Sequence, residues 1–375
     1  MQKSILFFVT IFLLGSFTAN AKSWYVDNRT GATVKDFTSL PNAINAASAG
    51  DTILLAGSPT DYAPSGVTIA KNVVIIGPGY FLKENFPGLT AQYTATLGSI
   101  SISSGATGAQ VSGCQIVSAC SLNTSNFSLF RNYILCQISI AASVSNIVIK
   151  GNYVSVGAIY GINNYCLSIG ANCTNILVQN NLMSYGGYNS GYYGLFISMN
   201  NTSTGIIFSN NVITTSFNSY SYNTTYNTTA VTTYNSVFSN NIFISATDIV
   251  LPTSTNEYYN NISNRDNLPS GNSNLNGVEM STVIVMNGSP DGYYKLQYGS
   301  PAISAGQNGI DIGIYGGSSP YFLSGISAFP RIYSLEIVNV TPQALTVRVK
   351  AGATLNQPTV KKGSNNTASP VKIAK

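Results

Sequence analysis

The sequence contains no histidine among its 375 residues and only one tryptophan. The absence of histidine excludes Ser-His-Asp and Cys-His catalysis, histidine general bases and histidine-ligated zinc. Charge is also scarce, with 8% charged residues and a formal net charge of +5. Because the basic residues are scattered, the field is weak and we expect no nucleic-acid partner. A hydrophobic fraction of 44% nevertheless indicates a folded chain rather than a disordered one.

Long apolar runs are missing after the amino terminus. Lys3 precedes an apolar run over residues 5–17, and Ala19-Asn20-Ala21 follows it, an order typical of a cleaved export signal. The run is shorter than the roughly 20 residues that a membrane span needs. We predict that residues 1–21 are a signal peptide and that the mature protein is secreted, periplasmic or extracellular, without a membrane span.

Five cysteines would therefore enter an oxidising compartment, and an odd number cannot all pair within one chain. They are Cys114, Cys120, Cys136, Cys166 and Cys173. A disulfide between Cys166 and Cys173 is one interpretation. We favour another, in which most of these thiols fill a core as small apolar groups, because a packed cysteine behaves as a hydrophobe.

A repeated motif occupies the middle of the chain. Branched apolar residues lead into Asn-Asn or a related pair and then into another apolar residue, as in Val178-Gln179-Asn180-Asn181-Leu182-Met183. Aligned on the second member of each pair, the repeats are spaced by 18, 20, 29, 30, 30 and 20 residues. No helical periodicity intervenes, so the pattern favours a solenoid of stacked coils.

A coil of about 20 residues holds three short strands, and about ten further residues make a loop at one corner. Asparagine suits the turn because it tolerates left-handed backbone and its amide can bond to neighbouring coils. We predict a structural ladder of stacked asparagines. Its members are Asn132, Asn152, Asn181, Asn211, Asn241 and Asn261.

Both ends of a solenoid need cover because their strand edges are unpaired. At the front, Pro41, Ala43 and Ile44 predict a short helix that caps the first coil. Residues 332–337 and 345–350 alternate as strands. We read residues 331–375 as a small β appendage followed by a flexible tail.

The entry run Ser39-Leu40-Pro41-Asn42-Ala43-Ile44 through Ala49-Gly50-Asp51-Thr52-Ile53, together with the asparagine repeats, resembles bacterial secreted proteins of the pectin-lyase-like superfamily. Residues 300–306 followed by 311–317 resemble the closing segment of many such chains. The resemblance covers roughly residues 24–330 and implies an all-β fold, a right-handed parallel β-helix. With the predicted amino-terminal helix cap and the small carboxy-terminal β tail, we assign residues 22–330 to this β-helix. It implies a fold and not a function, because this fold carries unrelated activities.

If the protein is an enzyme, the resemblance implies a polysaccharide lyase or a glycoside hydrolase. Such a lyase would hold calcium with acidic residues and use an arginine or lysine as base, and such a hydrolase would use clustered aspartates. No carboxylate occurs between Glu84 and Asp248, where the only charges are Arg131 and Lys150. Strand alternation would send those two side chains to opposite faces, which favours solvated charges over a catalytic pair. The later acids do not repeat at the coil period, which favours a role in surface solubility over a catalytic cluster. They are Asp248, Glu257, Asp266, Glu279 and Asp291. We therefore predict no catalytic residue, no metal site and no cofactor.

Asp311 lies within the closing motif, between Gly309 and Gly313. Its carboxylate could ligate calcium or could accept backbone amides within a turn. We favour the turn role, because aspartate commonly bonds its own local backbone in this way.

Tyrosine and asparagine are enriched where the coils lengthen, between residues 184 and 234. A tyrosine ring offers a flat face and a hydroxyl at low entropic cost, and an uncharged surface suits an uncharged ligand. We predict non-catalytic binding of a neutral glycan or another cell-surface ligand. The candidate residues are Tyr185, Tyr188, Tyr192, Tyr193, Tyr220, Tyr222 and Tyr226. The alternatives are a polysaccharide lyase or glycoside hydrolase, a structural surface stalk, and loops that only pack on one another.

Overall fold

The computed structural model describes residues 21–86, 92–157, 165–187, 197–217, 231–245, 251–326, 331–341 and 344–352. These ranges contain three short α-helices, α1 (Leu40–Ala46), α2 (Leu82–Asn85) and α3 (Met280–Val283). In chain order, the strands are β1 (Ser23–Val26), β2 (Thr52–Leu55), β3 (Val67–Ile69), β4 (Val74–Ile76), β5 (Thr96–Ile102), β6 (Gln110–Ser112), β7 (Gln115–Leu122), β8 (Phe127–Phe130), β9 (Tyr133–Ile134), β10 (Ile138–Ile140), β11 (Ser145–Lys150), β12 (Tyr153–Gly157), β13 (Leu167–Ile169), β14 (Thr174–Gln179), β15 (Leu182–Gly187), β16 (Ile197–Met199), β17 (Thr204–Ser209), β18 (Val212–Phe217), β19 (Val231–Thr232), β20 (Ser236–Ser239), β21 (Ile242–Ser245), β22 (Glu257–Tyr259), β23 (Ile262–Ser263), β24 (Arg331–Thr341) and β25 (Ala344–Gly352).

Parallel pairing winds β1 to β23 into a helix with three faces. The first face has the order β1-β2-β4-β6-β8-β11-β14-β17-β20-β22. The second face contains β9, β12, β15, β18, β21 and β23, and the third contains β3, β10, β13, β16 and β19. Strands β5 and β7 span the corner, since their first residues pair on the second face and their last residues on the third. Parallel crossovers are right-handed in nearly all sheets, and the predicted right-handed parallel β-helix is confirmed.

The interior is filled by side chains that alternate with outward ones along each strand, as a pleated strand requires. Rings of successive coils stack there, with 4.6 Å between the centroids of Phe208 and Phe238 and 5.0 Å between those of Phe238 and Tyr258. Within the described residues, no helix has the length and apolar character that crossing a bilayer demands.

The six ladder asparagines lie fully buried at the corner between the first and second faces. The backbone N–H of each of the first five donates to Oδ1 of the next asparagine at 2.9 Å. Each Nδ2 also donates to that oxygen and to a strand carbonyl, as Asn181 does to Asn211 and to Ile149. Every amide is thereby satisfied without water, which a buried amide requires.

Two residues outside the predicted set terminate the ladder. Cys114 begins it, donating its backbone N–H to Asn132 at 3.0 Å. Asn274 ends it, accepting the backbone N–H of Asn261 at 3.0 Å. Asn274 follows only 13 residues after Asn261, so the spacing of the repeat did not identify it.

The first coil is covered by α1, whose Leu40, Ala43 and Ile44 are buried. Lys71 satisfies the end of this helix, because its ammonium donates to the carbonyls of Ile44, Asn45 and Ala47 at 2.7 to 3.1 Å. Such bonds supply partners for carbonyls that have none within the helix.

Strands β24 and β25 form an antiparallel hairpin with one apolar side. Its cross-strand pairs include Ile337 with Val347 and Val340 with Leu345, while Glu336 and Arg348 form an ion pair of 3.0 Å. Ile337, Val340 and Leu345 are each at least 60% exposed. The predicted tail beyond residue 352, like residues 1–20 of the predicted signal, lies outside the described residues.

All five cysteines are free and buried, so the disulfide between Cys166 and Cys173 is wrong and the interpretation as buried apolar groups is confirmed. The thiol of Cys173 instead faces the carbonyl of Ala141 at 3.1 Å. Burial raises the pKa of the Cys114 and Cys136 thiols to about 12, which keeps them protonated and unreactive.

Replacing one ladder asparagine should destabilise the protein strongly. Asn211→Ala removes the acceptor of the buried backbone N–H and side-chain amide of Asn181, and one donor to the carbonyl of Val178, so we expect a loss of about 2–4 kcal/mol in the free energy of unfolding. Urea denaturation measures it. The control Asn123→Ala removes an exposed bond to Ser101 and should cost less than about 0.5 kcal/mol; equal losses would contradict a special role for the ladder.

The thiols should be accessible only after unfolding. We expect a thiol-specific reagent to leave the native protein unlabelled and to label all five cysteines in denaturant, with no change in intact mass on reduction. Rapid labelling of the native protein would contradict the burial of the thiols.

Candidate functional site

A column of apolar residues runs along the outside of the second face, each member directly following a ladder position. Its members are Tyr133, Tyr153, Leu182, Val212, Ile242 and Ile262, which are in register across neighbouring strands. On a bare β-helix they would face solvent. The last four are instead fully buried, so another part of the chain covers them.

The cover is formed by residues 275–326, here called the covering segment. Met280 and Val283 of α3, together with Ile312, pack on the column and form a second apolar core outside the β-helix. The segment leaves the last coil and returns towards the first along the outer surface.

The first asparagine of each Asn-Asn pair attaches the covering segment. Asn180 donates its amide to the carbonyls of Ile314 and Gly316 at 2.9 and 2.8 Å. Asn210 donates its amide to the backbone carbonyl of Asp311 at 3.0 Å. The bonds of Asn240 with Gln307 and of Asn260 with Ala305 complete the series. These four asparagines have left-handed backbone, with φ between 52 and 57°, which turns their side chains outward beside the buried ladder.

Arg131 occupies the same outward position in an earlier coil. Its guanidinium donates to the carbonyl of Ile326 at 3.0 Å and lies 5.1 Å from the ring centroid of Phe322. Burial, and after it the Arg131 charge, lowers the pKa of Lys150. The prediction of a solvated charge is wrong for Arg131, because it lies in a left-handed turn (φ 52°), where strand alternation does not apply, and its guanidinium bonds to the covering segment.

Asp291 connects three parts of the chain. Its buried carboxylate accepts the amide of Asn85 at 2.7 Å, the backbone N–H of Ser324 at 2.6 Å and the hydroxyl of Tyr321 at 3.2 Å. That hydroxyl also bonds to Tyr80 at 2.7 Å. The carboxylate thereby joins α2 to two points of the covering segment, and it lines neither of the depressions described below.

The expectation of a surface role for the late acids is wrong for Asp291 and holds for Glu257, Asp266 and Glu279, which are exposed; Asp248 lies outside the described residues. Asp311 accepts the backbone N–H of Ser304 at 2.8 Å, the turn role favoured from the sequence. Across the described ranges, no three His, Cys, Asp or Glu residues come together in a group that could hold a metal ion.

Two depressions open on the outer surface, and residues of the covering segment line the second of them. The first, of about 260 Å³, is lined by Lys83, Glu84, Tyr93 and Tyr133 among others. Tyr93 is 49% exposed there. The pKa of Tyr133 is raised by burial, so its hydroxyl stays protonated.

The second depression has a volume of about 420 Å³. Tyr153, Tyr293 and Tyr294 supply its rings, and Thr214 and Ser289 its other hydroxyls. The remaining lining is Ile244, Met280, Ile284, Met286, Gly288 and Pro290. The described residues that line it include no carboxylate, lysine or arginine, and burial raises the pKa of Tyr294 to about 12, so this lining is uncharged at neutral pH.

One aromatic cluster separates the two depressions. The rings of Tyr133 and Tyr153, one from each depression, lie 5.2 Å apart. Phe81 packs on both, at 4.8 and 5.9 Å between centroids. The depressions therefore adjoin the same rigid wall. The sequence does contain one signal for this arrangement. An apolar residue follows each ladder asparagine at a position that strand alternation directs outward, which indicates that another segment covers this face.

The tyrosines predicted to bind ligand are not part of this arrangement. Tyr185 is 1% exposed and belongs to the interior core, because it lies two positions after the inward Met183 on β15. Its ring therefore offers no surface to a ligand. The other six lie outside the described residues, namely Tyr188, Tyr192, Tyr193, Tyr220, Tyr222 and Tyr226.

No protein-family model matches the chain, and no curated protein matches its sequence. Among solved structures it is similar to pectate lyase Pel9A, at 10% identity and a TM-score of 0.33 over 79% of this chain and 96% of that one. It is similar to XylC in a complex with xylose, at 9% identity and a TM-score of 0.29 over 68% and 85%. An alginate lyase from Paenibacillus sp. str. FPU-7 matches at 12% identity and a TM-score of 0.26 over 69% and 99%. Scores this low carry no argument about activity, and the fold is assigned from the strand pairing.

Removing the Asp291 carboxylate should loosen the covering segment. Asp291→Ala leaves the amide of Asn85 and the backbone N–H of Ser324 without this acceptor, so we expect a loss of about 2–4 kcal/mol in stability and faster proteolysis within residues 275–326. Thermal unfolding and limited proteolysis measure both. The control Asp266→Ala, at an exposed position, should behave as wild type; an unchanged Asp291→Ala protein would contradict the role.

Proposed function

We propose that the protein is exported and binds a neutral glycan in the second depression, without cleaving it. The observation that supports this most directly is the uncharged lining, which combines three tyrosine rings with the hydroxyl groups of Thr214 and Ser289. A sugar ring presents apolar C–H faces and a rim of hydroxyls. Flat aromatic faces with a few fixed polar groups are complementary to such a ligand.

The electrostatics of the depression favour an uncharged ligand. Burial raises the pKa of both Tyr153 and Tyr294, so their hydroxyls remain neutral donors and acceptors. An acidic polysaccharide would lose hydration on entering and would find no cation among the described residues of this lining.

The size of the depression fits part of a polymer. Its volume of about 420 Å³ lies within the range of roughly 300–1,000 Å³ that is usual for small-ligand sites. The first depression lies on the other side of the shared aromatic cluster and would accommodate further sugar residues of the same polysaccharide. Lys83 and Glu84 give that end a more polar character.

The lining also argues against hydrolysis at this position. Glycoside hydrolysis generally needs two carboxylates on either side of the scissile bond. Among the described residues that line the depressions, Glu84 is the only carboxylate. The buried Asp291 already accepts several hydrogen bonds and does not face the cavity.

Truncating one ring should weaken binding without harming the fold. Tyr293→Ala removes a half-buried wall of the second depression, so we expect affinity for a retained neutral polysaccharide to fall about tenfold, which corresponds to about 1.4 kcal/mol. Isothermal titration calorimetry measures it. The matched control is Tyr298→Ala, since Tyr298 is 70% exposed and lines neither depression; it should bind as wild type.

The same samples should be assayed for new reducing ends and for unsaturated ends. Release of either kind of end by wild type would contradict the non-catalytic proposal and favour a hydrolase or a lyase. Failure of a broad panel of neutral polysaccharides to bind would reject glycan binding and favour the surface stalk.

A further inference from the structure

A buried carboxylate lies against the predicted start of the mature chain. Asp51, at the entrance to β2, is only 3% exposed. Its Oδ1 accepts the backbone N–H of Lys22 at 2.8 Å, and its Oδ2 accepts Nε1 of Trp24 and the backbone N–H of Ser48, both at 2.9 Å. These three donors are all neutral groups.

The nitrogen of Lys22 is the unusual donor, because it belongs to the peptide bond between Ala21 and Lys22. That bond is the one predicted to be cut when the signal peptide is removed. The carbonyl of Lys22 is already held by the backbone N–H of Thr52 at 2.8 Å, so the residue is fixed at the edge of the first coil. Its side-chain ammonium points elsewhere, lying 3.3 Å from the centroid of the Trp24 ring.

We propose that Asp51 is the binding site for the α-ammonium group of the mature protein, and that cleavage after Ala21 creates this ion pair. The inference rests on the predicted signal peptide and is independent of glycan binding. A signal peptidase adds water across the Ala21–Lys22 bond, leaving a carboxylate on Ala21 and an amine on Lys22. The amine takes up a proton at neutral pH and stays beside the carboxylate that its amide already contacted.

Processing would then strengthen the first coil. In the precursor only the acceptor of this hydrogen bond is charged; in the mature chain the donor is charged as well, which adds the attraction between opposite charges. In the precursor, every group that donates a hydrogen bond to the Asp51 carboxylate is neutral, and the Lys22 ammonium lies over Trp24 without such a bond; in the mature chain a positive charge is bonded to the carboxylate directly. The precursor is consequently less stable at the coil from which the stack begins.

The ion pair has a defined pH dependence. An α-amino group has an ordinary pKa of about 7.7–8.0, and the adjacent carboxylate raises it in the folded state. Its contribution is therefore complete below about pH 7.5 and is lost as pH rises through the raised pKa. The other charged groups near the site are the Lys22 ammonium over Trp24 and the Lys71 ammonium at the end of α1. Since the chain has no histidine, no imidazole titration overlaps this window.

The first test is the amino terminus of the protein recovered after export, determined by intact mass and amino-terminal sequencing. We expect the chain to begin at Lys22. A stable exported protein that begins at any other residue would overturn the proposal.

The second test compares residues 22–375, released from a cleavable fusion, with the same chain extended to begin at Ala19. The extension restores the amide at Lys22 and leaves every folded side chain unchanged. At pH 7 we expect the shorter protein to melt about 2–4 °C higher, with the difference closing above about pH 9. A difference that is absent, or that does not change with pH, would overturn the proposal. Asp51→Asn in both backgrounds should abolish the difference, and if that variant fails to fold, the pH profile alone decides.

Discussion

The rest of the structure depends on one constraint, that an amide buried away from water must find partners for all its polar atoms. At the first corner this is possible only when each asparagine lies directly above the next. The ladder therefore sets the register of every coil from Cys114 to Asn274. It leaves coil length free, since steps of 20 and of 30 residues reach the same position. Loops vary while the corner stays constant.

The Asn-Asn pair links the interior core of the β-helix to the second apolar core beneath the covering segment. Its second residue is buried in the ladder, and its first, held in left-handed backbone, bonds to the covering segment. A solenoid stabilised only by contacts between neighbouring coils unfolds from its ends. Here one segment contacts many coils, so the coils share stability. The same segment forms much of the second depression, which ties the candidate site to the integrity of the stack.

Local patterns in the sequence predicted the β-helix, the ladder and the helix at its front, because each depends on residues within one or two coils. The covering segment was not predicted, since Asn180 and Ile314 lie 134 residues apart and leave no periodic trace. Its sign was an apolar residue, such as Leu182, at a position that alternation directs outward. Tyr185 was wrongly predicted to bind ligand because it lies in a tyrosine-rich stretch. Its position along β15, two residues after the inward Met183, directs its ring into the core. The orientation of Arg131 was wrongly predicted because this residue lies in a left-handed turn, where side chains do not follow strand alternation.

The return path of the covering segment also restricts the number of coils in the β-helix. Its bonds progress from Asn260 with Ala305 to Arg131 with Ile326, so they match the rise of the coils between those points. An added or missing coil would place carbonyls opposite the wrong corner residues. Because the segment bonds to several successive coils, it can complete its contacts only once those coils are stacked. A shortened chain would leave the apolar column and the corner amides uncovered, in a form that quality-control proteases can recognise.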